Sequence, residues 1–72
     1  MSMTNTNHPT ITHPKTKESL MFEPSADGKY ITVHYRKNGF SKWEPNTYTM
    51  NKEYARYFWE NRVNNMGYER TA

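Results

Sequence analysis

Residues Lys29-Tyr30-Ile31-Thr32-Val33-His34-Tyr35-Arg36 form a β-branched and aromatic octet, a composition that fits a pleated, half-buried surface. Strict alternation puts Ile31, Val33 and Tyr35 on one side and Tyr30, Thr32, His34 and Arg36 on the other. The octet therefore reads as a strand whose apolar side needs a cover.

Working outward, Asn38-Gly39 is a dipeptide that tolerates positive φ at both centres of a hairpin turn, which predicts a return strand over residues 40–44. Pro45 ends that strand or marks an edge, and residues 47–49 either extend it or connect onward. On the N-terminal side, residues 20–23 form a short strand stopped by Pro24 and the turn material of residues 25–28. Downstream, Asn51 suits an N-cap, with Glu53 in the first turn of a helix over residues 52–66. Ala55, Phe58, Trp59, Val63 and Met66 recur at three and four residue intervals as one apolar stripe, along which Arg62 lays its stem. Gly67 stands where a left-handed cap is wanted, and Tyr68 then folds back onto Val63. The expected fold is α+β: a small three-stranded antiparallel meander packed on one C-terminal amphipathic helix (β-β-β-α), occupying residues 18–72.

The whole chain has 72 residues, no cysteine and 33% hydrophobic residues. A domain of this size buries only about 60% of the surface its unfolded chain exposes, leaving no room for a deep walled pocket. The absence of cysteine excludes disulfides, thiol nucleophiles and thiolate-bound zinc, and suits a reducing, cytoplasmic setting. No apolar run reaches the length of a membrane span, so no membrane association is expected. All eleven aromatics fall between Phe22 and Tyr68, whereas residues 1–17 contain Ile11 as their one branched aliphatic. That segment reads as a disordered tail. The formal charge of +3 is carried largely there: Lys15 and Lys17 stand without an acid, and the other eight cations face all seven acids.

The hairpin register decides what the uncovered side of the sheet displays. A two-residue turn opposes His34 to Trp43 and sets Trp43 beside Tyr30, His34 and Arg36. A three-residue turn opposes Val33 to Trp43, drawing Trp43 into the core and displaying Phe40 instead. Either register leaves a large ring outside beside the acid-free strip Lys29, Arg36, Lys37 and Lys42; the competing reading tucks Trp43 and Phe40 beneath residues 20–24 or the tail and makes the strip a solvated face guarding a sheet edge. Tyr54 and Tyr57, with Arg56 between them, flank the helix stripe and make a second candidate surface.

Chemistry is sparse. His8, His13 and His34 match no metal-ligand spacing, and Gly28, Gly39 and Gly67 are isolated rather than a phosphate cradle. Glu53 and Glu60 share a helix face without an enclosing cavity, and Ser19, Ser25 and Ser41 lack a base. No catalytic residue, metal or cofactor is expected.

The segment Met50-Asn51-Lys52-Glu53-Tyr54-Ala55-Arg56-Tyr57-Phe58-Trp59, continuing through Val63 to Gly67-Tyr68, resembles the ending of short uncharacterised cyanobacterial proteins and their phage relatives: an acid-Ala-Arg helix, Trp four residues after Ala, an aliphatic, then Gly and an aromatic. The resemblance covers about a third of the chain and implies no activity. A lesser similarity is to WGR domains, nucleic-acid-associated modules whose strands precede a helix ending in Gly-Tyr; the naming triplet is absent here, with Tyr35-Arg36 its nearest approach.

These features predict a small non-enzymatic accessory or regulatory protein that binds another protein through the open sheet face (Tyr30, His34, Arg36, Lys37, Phe40, Lys42, Trp43), the Tyr54/Tyr57 flank, or both. The alternative is single-stranded nucleic-acid or RNA binding, with rings stacking on bases while the cations track phosphates. Self-association through an unprotected edge is a third outcome.

Overall fold

The computed structural model describes residues 8–39 and 41–72. Among the described residues, five strands and one helix follow in the order β1 (Thr10–Thr12), β2 (Ser19–Pro24), β3 (Tyr30–Arg36), β4 (Tyr48–Asn51), α1 (Lys52–Asn65) and β5 (Glu69–Arg70). The strands make one sheet in the order β4-β3-β2-β1-β5, with every pairing antiparallel. The fold is α+β as expected, but the sheet has five strands rather than three.

Two corrections account for the difference. The disordered tail expected over residues 1–17 does not hold at Thr10–Thr12, which lies between β2 and β5 with Ile11 opposite both Leu20 and Arg70. Ile11 is 0% exposed. One aliphatic suffices because this strand is sheltered on both edges, and its ends are tied by Phe22 N–H to the Pro9 carbonyl at 2.8 Å and Thr71 N–H to the Thr10 carbonyl at 2.9 Å. Nor does that expectation hold over residues 13–17, a turn closed by the Lys17 N–H on the His13 carbonyl at 2.9 Å, while residues 1–7 lie outside the described residues.

The second correction concerns the partner of β3. Neither hairpin register forms; residues 37–39 and 41–47 belong to no strand, and Tyr48–Asn51 supplies the return strand with Val33 opposite Tyr48 and Ile31 opposite Met50. The physical reason is spacing. Phe40 and Trp43 are three apart and fall on opposite faces of any strand, whereas Tyr48 and Met50 are two apart and both face the helix side.

The core lies between that side of the sheet and α1. Ile11, Leu20, Phe22 and Val33 are buried there with Ala55 and Tyr68, while Ile31, Tyr35, Met50, Phe58, Trp59 and Val63 pack around them. Ala55, 3% exposed, brings the helix backbone close to the sheet. Phe58 and Trp59 straddle it and tilt onto Phe22, with ring centroids 6.0 and 5.0 Å away. Asn51 caps the helix by accepting the Tyr54 N–H at 2.8 Å. At the other end the Arg62 carbonyl accepts both the Met66 and Tyr68 N–H groups, and Gly67 at φ +81° turns the chain so that Tyr68 enters the core.

Candidate functional site

The helix is narrower than the sheet it covers, so a groove runs beside it over β3 and β4. Its floor is Leu20, Val33, Tyr35 and Tyr68, and its walls include Tyr48 and Met50 from the sheet and Tyr54 and Phe58 from the helix. The opening measures about 740 Å³. Tyr48, Tyr54 and Tyr57 are 67%, 55% and 67% exposed, so three large rings face solvent around this flank. The Tyr54 and Tyr57 rings lie 6.4 Å apart.

A carboxylate sits at one end of the groove. Glu18 accepts hydrogen bonds from Tyr35 Oη at 2.8 Å, Thr16 Oγ1 at 3.2 Å and Tyr68 Oη at 3.5 Å. Donation by Tyr35, which outweighs the opposing effect of burial, holds the Glu18 carboxyl below the usual carboxylate range. The same bond raises the Tyr35 phenol, and burial raises that of Tyr68. Arg62 also reaches this groove, with its guanidinium 4.2 Å from the Phe58 ring and Nη1 donating to Met66 Sδ at 3.1 Å. Glu44 lines the same groove, which therefore carries two carboxylates as well as its rings.

The opposite side of the sheet is partly occupied by the chain itself. Trp43 lies there, half-buried, with the Arg36 guanidinium 4.2 Å from its ring and His34 edge-on at 6.5 Å. It reaches that side from residues 41–47, which belong to no strand. His34 Nε2 is 2.7 Å from Glu23 Oε1, so an acid interrupts the basic character expected there. Arg36 Nε is buried without a hydrogen-bond partner. Tyr30 is 50% exposed. Lys37 and Lys42 are exposed to solvent. Phe40 lies outside the described residues.

Of the site residues read from the sequence, the structure brings His34, Arg36 and Trp43 together, and separately Tyr54 and Tyr57. Sequence reasoning missed Tyr48, Glu18, Tyr35 and Tyr68 as parts of one groove. The Tyr48/Met50 alternation was the available signal for the first; the others converge only through the sheet register and the turn after α1.

Among the described residues no group of three histidine, cysteine or acidic side chains is placed to hold a metal ion, and no helix is long and apolar enough to cross a membrane. Comparison with protein-family models, with curated proteins and with solved structures finds no match to this chain.

Proposed function

We propose that the protein is a non-enzymatic accessory or regulatory module that binds another protein along the Tyr48/Tyr54/Tyr57 flank, seating an extended partner segment beside β4. The observation carrying this reading is that two solvent-facing tyrosines, Tyr48 and Tyr54, line the groove between α1 and β4, with the exposed Tyr57 ring 6.4 Å beyond Tyr54. Tyrosine offers large, rigid contact area with a polar tip and is enriched where interfaces concentrate their energy. The edge supports the same reading. Beyond β4 no described strand pairs, and its Tyr-Thr-Met-Asn sequence carries none of the charges or prolines that blunt an edge, whereas β5 at the other end reads Glu69-Arg70. Trp43 and Arg36, folded on each other, leave the opposite side less available.

Photo-crosslinking tests this reading. With benzoylphenylalanine in place of Tyr57 or Tyr48, a discrete protein adduct forms in cells, and Tyr54→Ser weakens it; the same probe in place of Tyr30 gives none. Adducts from Tyr30 alone, or none from the tyrosine flank, refute it.

A second reading, single-stranded nucleic-acid binding, draws on a hollow of about 700 Å³ on the other side of the sheet. Lys17, Arg36 and His8 line it with Thr10, Thr12, Ser19 and Trp43, and no Asp or Glu side chain does. Oligonucleotides then shift the Arg36 and Trp43 resonances, increasingly so at low salt. Unmoved resonances at low salt dispose of it.

A further inference from the structure

The other flank of α1 carries a second, separate hollow. Phe22, Ile31, Ala55 and Trp59, with Pro9 and Pro24, make an apolar slot of about 410 Å³, and the side chains of Lys52, Arg56 and Arg70 stand around it. No acidic side chain lines it. The three cations arrive from distant parts of the sequence: the first turn of α1, its second turn, and β5 after the helix. Arg70 is brought there because β5 pairs with β1, placing it opposite Ile11 on the helix side of the sheet. Arg56 has one carboxylate in reach, Glu60 at 3.5 Å, in a pair exposed to water on both sides and hence readily exchanged.

An apolar floor ringed by charge of one sign is complementary to an apolar side chain flanked by charge of the other. We propose that this slot binds an acidic segment of a partner protein, with one large apolar side chain seated over Trp59 and Ala55 and neighbouring carboxylates on Lys52, Arg56 and Arg70. The volume accommodates a phenylalanine or leucine side chain. Arginine at two of the three positions favours carboxylate, which its planar fork meets with two parallel hydrogen bonds; Arg70 Nε donates to the Ala72 main-chain oxygen at 2.9 Å, so its pairing uses the two terminal nitrogens. The site goes beyond the tyrosine flank: it lies on the opposite side of the helix and shares none of the three tyrosines.

The test titrates the isotope-labelled full chain with an amidated peptide alternating aspartate and leucine around a central phenylalanine. Its asparagine counterpart, of the same shape without charge, is the control. The acidic peptide shifts the Trp59 indole and the Ile31 and Ala55 amides and binds about tenfold more tightly than the control, the sum available from three exposed ion pairs. Arg56→Glu with Arg70→Glu, both on exposed positions, abolishes that preference and transfers it to a lysine-containing peptide, while crosslinking from the Tyr57 position persists. Equal binding of acidic and neutral peptides, shifts confined to other surfaces, or no binding overturns the proposal. So does the same set of shifts produced by decanoate but not by the peptide, which assigns the slot to a small amphiphile, or by raising protein concentration alone, which assigns it to a second copy. Each of these leaves the tyrosine-flank reading standing, whereas loss of crosslinks from Tyr57 and Tyr48 removes that reading and not this one.

Discussion

The phenol of Tyr35 donates a 2.8 Å hydrogen bond to Glu18, tying the loop between β1 and β2 to the C-terminal end of β3. Tyr68 Oη reaches the other carboxylate oxygen at 3.5 Å, so one acid joins three pieces of chain separated by up to 50 residues. Hydrogen bonds to a charged acceptor contribute more than neutral ones. Glu18→Gln is expected to destabilise the fold by about 1–2 kcal/mol. Urea unfolding of Glu18→Gln, Tyr35→Phe and the double variant measures it, and additive losses in that cycle would falsify the coupling.

The same triad sets how stability responds to pH. The Glu18 carboxyl is depressed in the folded state by Tyr35, so its contribution is complete above the ordinary glutamate range near about pH 4.3 and is lost as pH falls through the lower folded value. Asp27, depressed by the Ser25 hydroxyl at 2.6 Å and by the Lys29 N–H, adds a contribution of the same sign. The phenols act in the opposite sense. Tyr35 and Tyr68 are raised, so their contribution is intact below about pH 10 and is lost as pH rises through their higher folded values. Thermal midpoints across pH should therefore decline at both ends, and Glu18→Gln should flatten the acidic decline. An unchanged acid limb in that variant contradicts the assignment.

Burial of Ile11 makes the N-terminal strand a component of the core. Ile11→Ala is expected to cost about 2–4 kcal/mol, the range for removing a large aliphatic from a packed site. Hydrogen exchange should show the Phe22 amide, bonded to the Pro9 carbonyl, protected in the parent chain and released in the variant. A loss under 0.5 kcal/mol, on the order of a surface substitution, is incompatible with a packed strand.

Lys17 adopts φ +68° where the β1–β2 connection turns, a conformation costly for a residue with a Cβ. Lys17→Gly should stabilise the protein by roughly 0.5–1 kcal/mol despite glycine's greater freedom when unfolded. Chemical denaturation decides this, and a destabilised variant shows that the lysine side chain contributes more than the backbone loses.

Asn51 closes the first turn of α1 through the Tyr54 N–H, and that turn carries Tyr54 into the groove. Asn51→Ala is expected to cost about 1 kcal/mol, and Asn51→Ser to recover most of it. Because the cap also sets the position of Tyr54, the alanine variant should give fewer crosslinks from the flank at temperatures where it remains folded. Undiminished crosslinking there separates the cap from the site.

Local patterns were legible wherever adjacent residues settle the matter. The octet of β3, the Asn51 cap, the stripe through Ala55, Phe58 and Trp59, and the left-handed Gly67 all follow from alternation, helical spacing and backbone sterics. Tyr54 and Tyr57 were readable as exposed rings for the same reason. Trp43 lies beside His34 and Arg36, as one of the two hairpin registers would place it and the other would not, yet neither hairpin exists.

What the amino-acid order determined by itself was therefore the type of each strong element and the face each presents, because period and capping act over a few residues. Tertiary structure alone decided which segment completes β3, whether residues 10–12 join the sheet, and which charges surround each groove. Those outcomes rest on pairings such as Ile11 with Arg70 and Glu18 with Tyr68, across 59 and 50 residues. No local signal carries such a contact: its free energy exists only once the sheet has brought distant backbone edges to hydrogen-bonding distance.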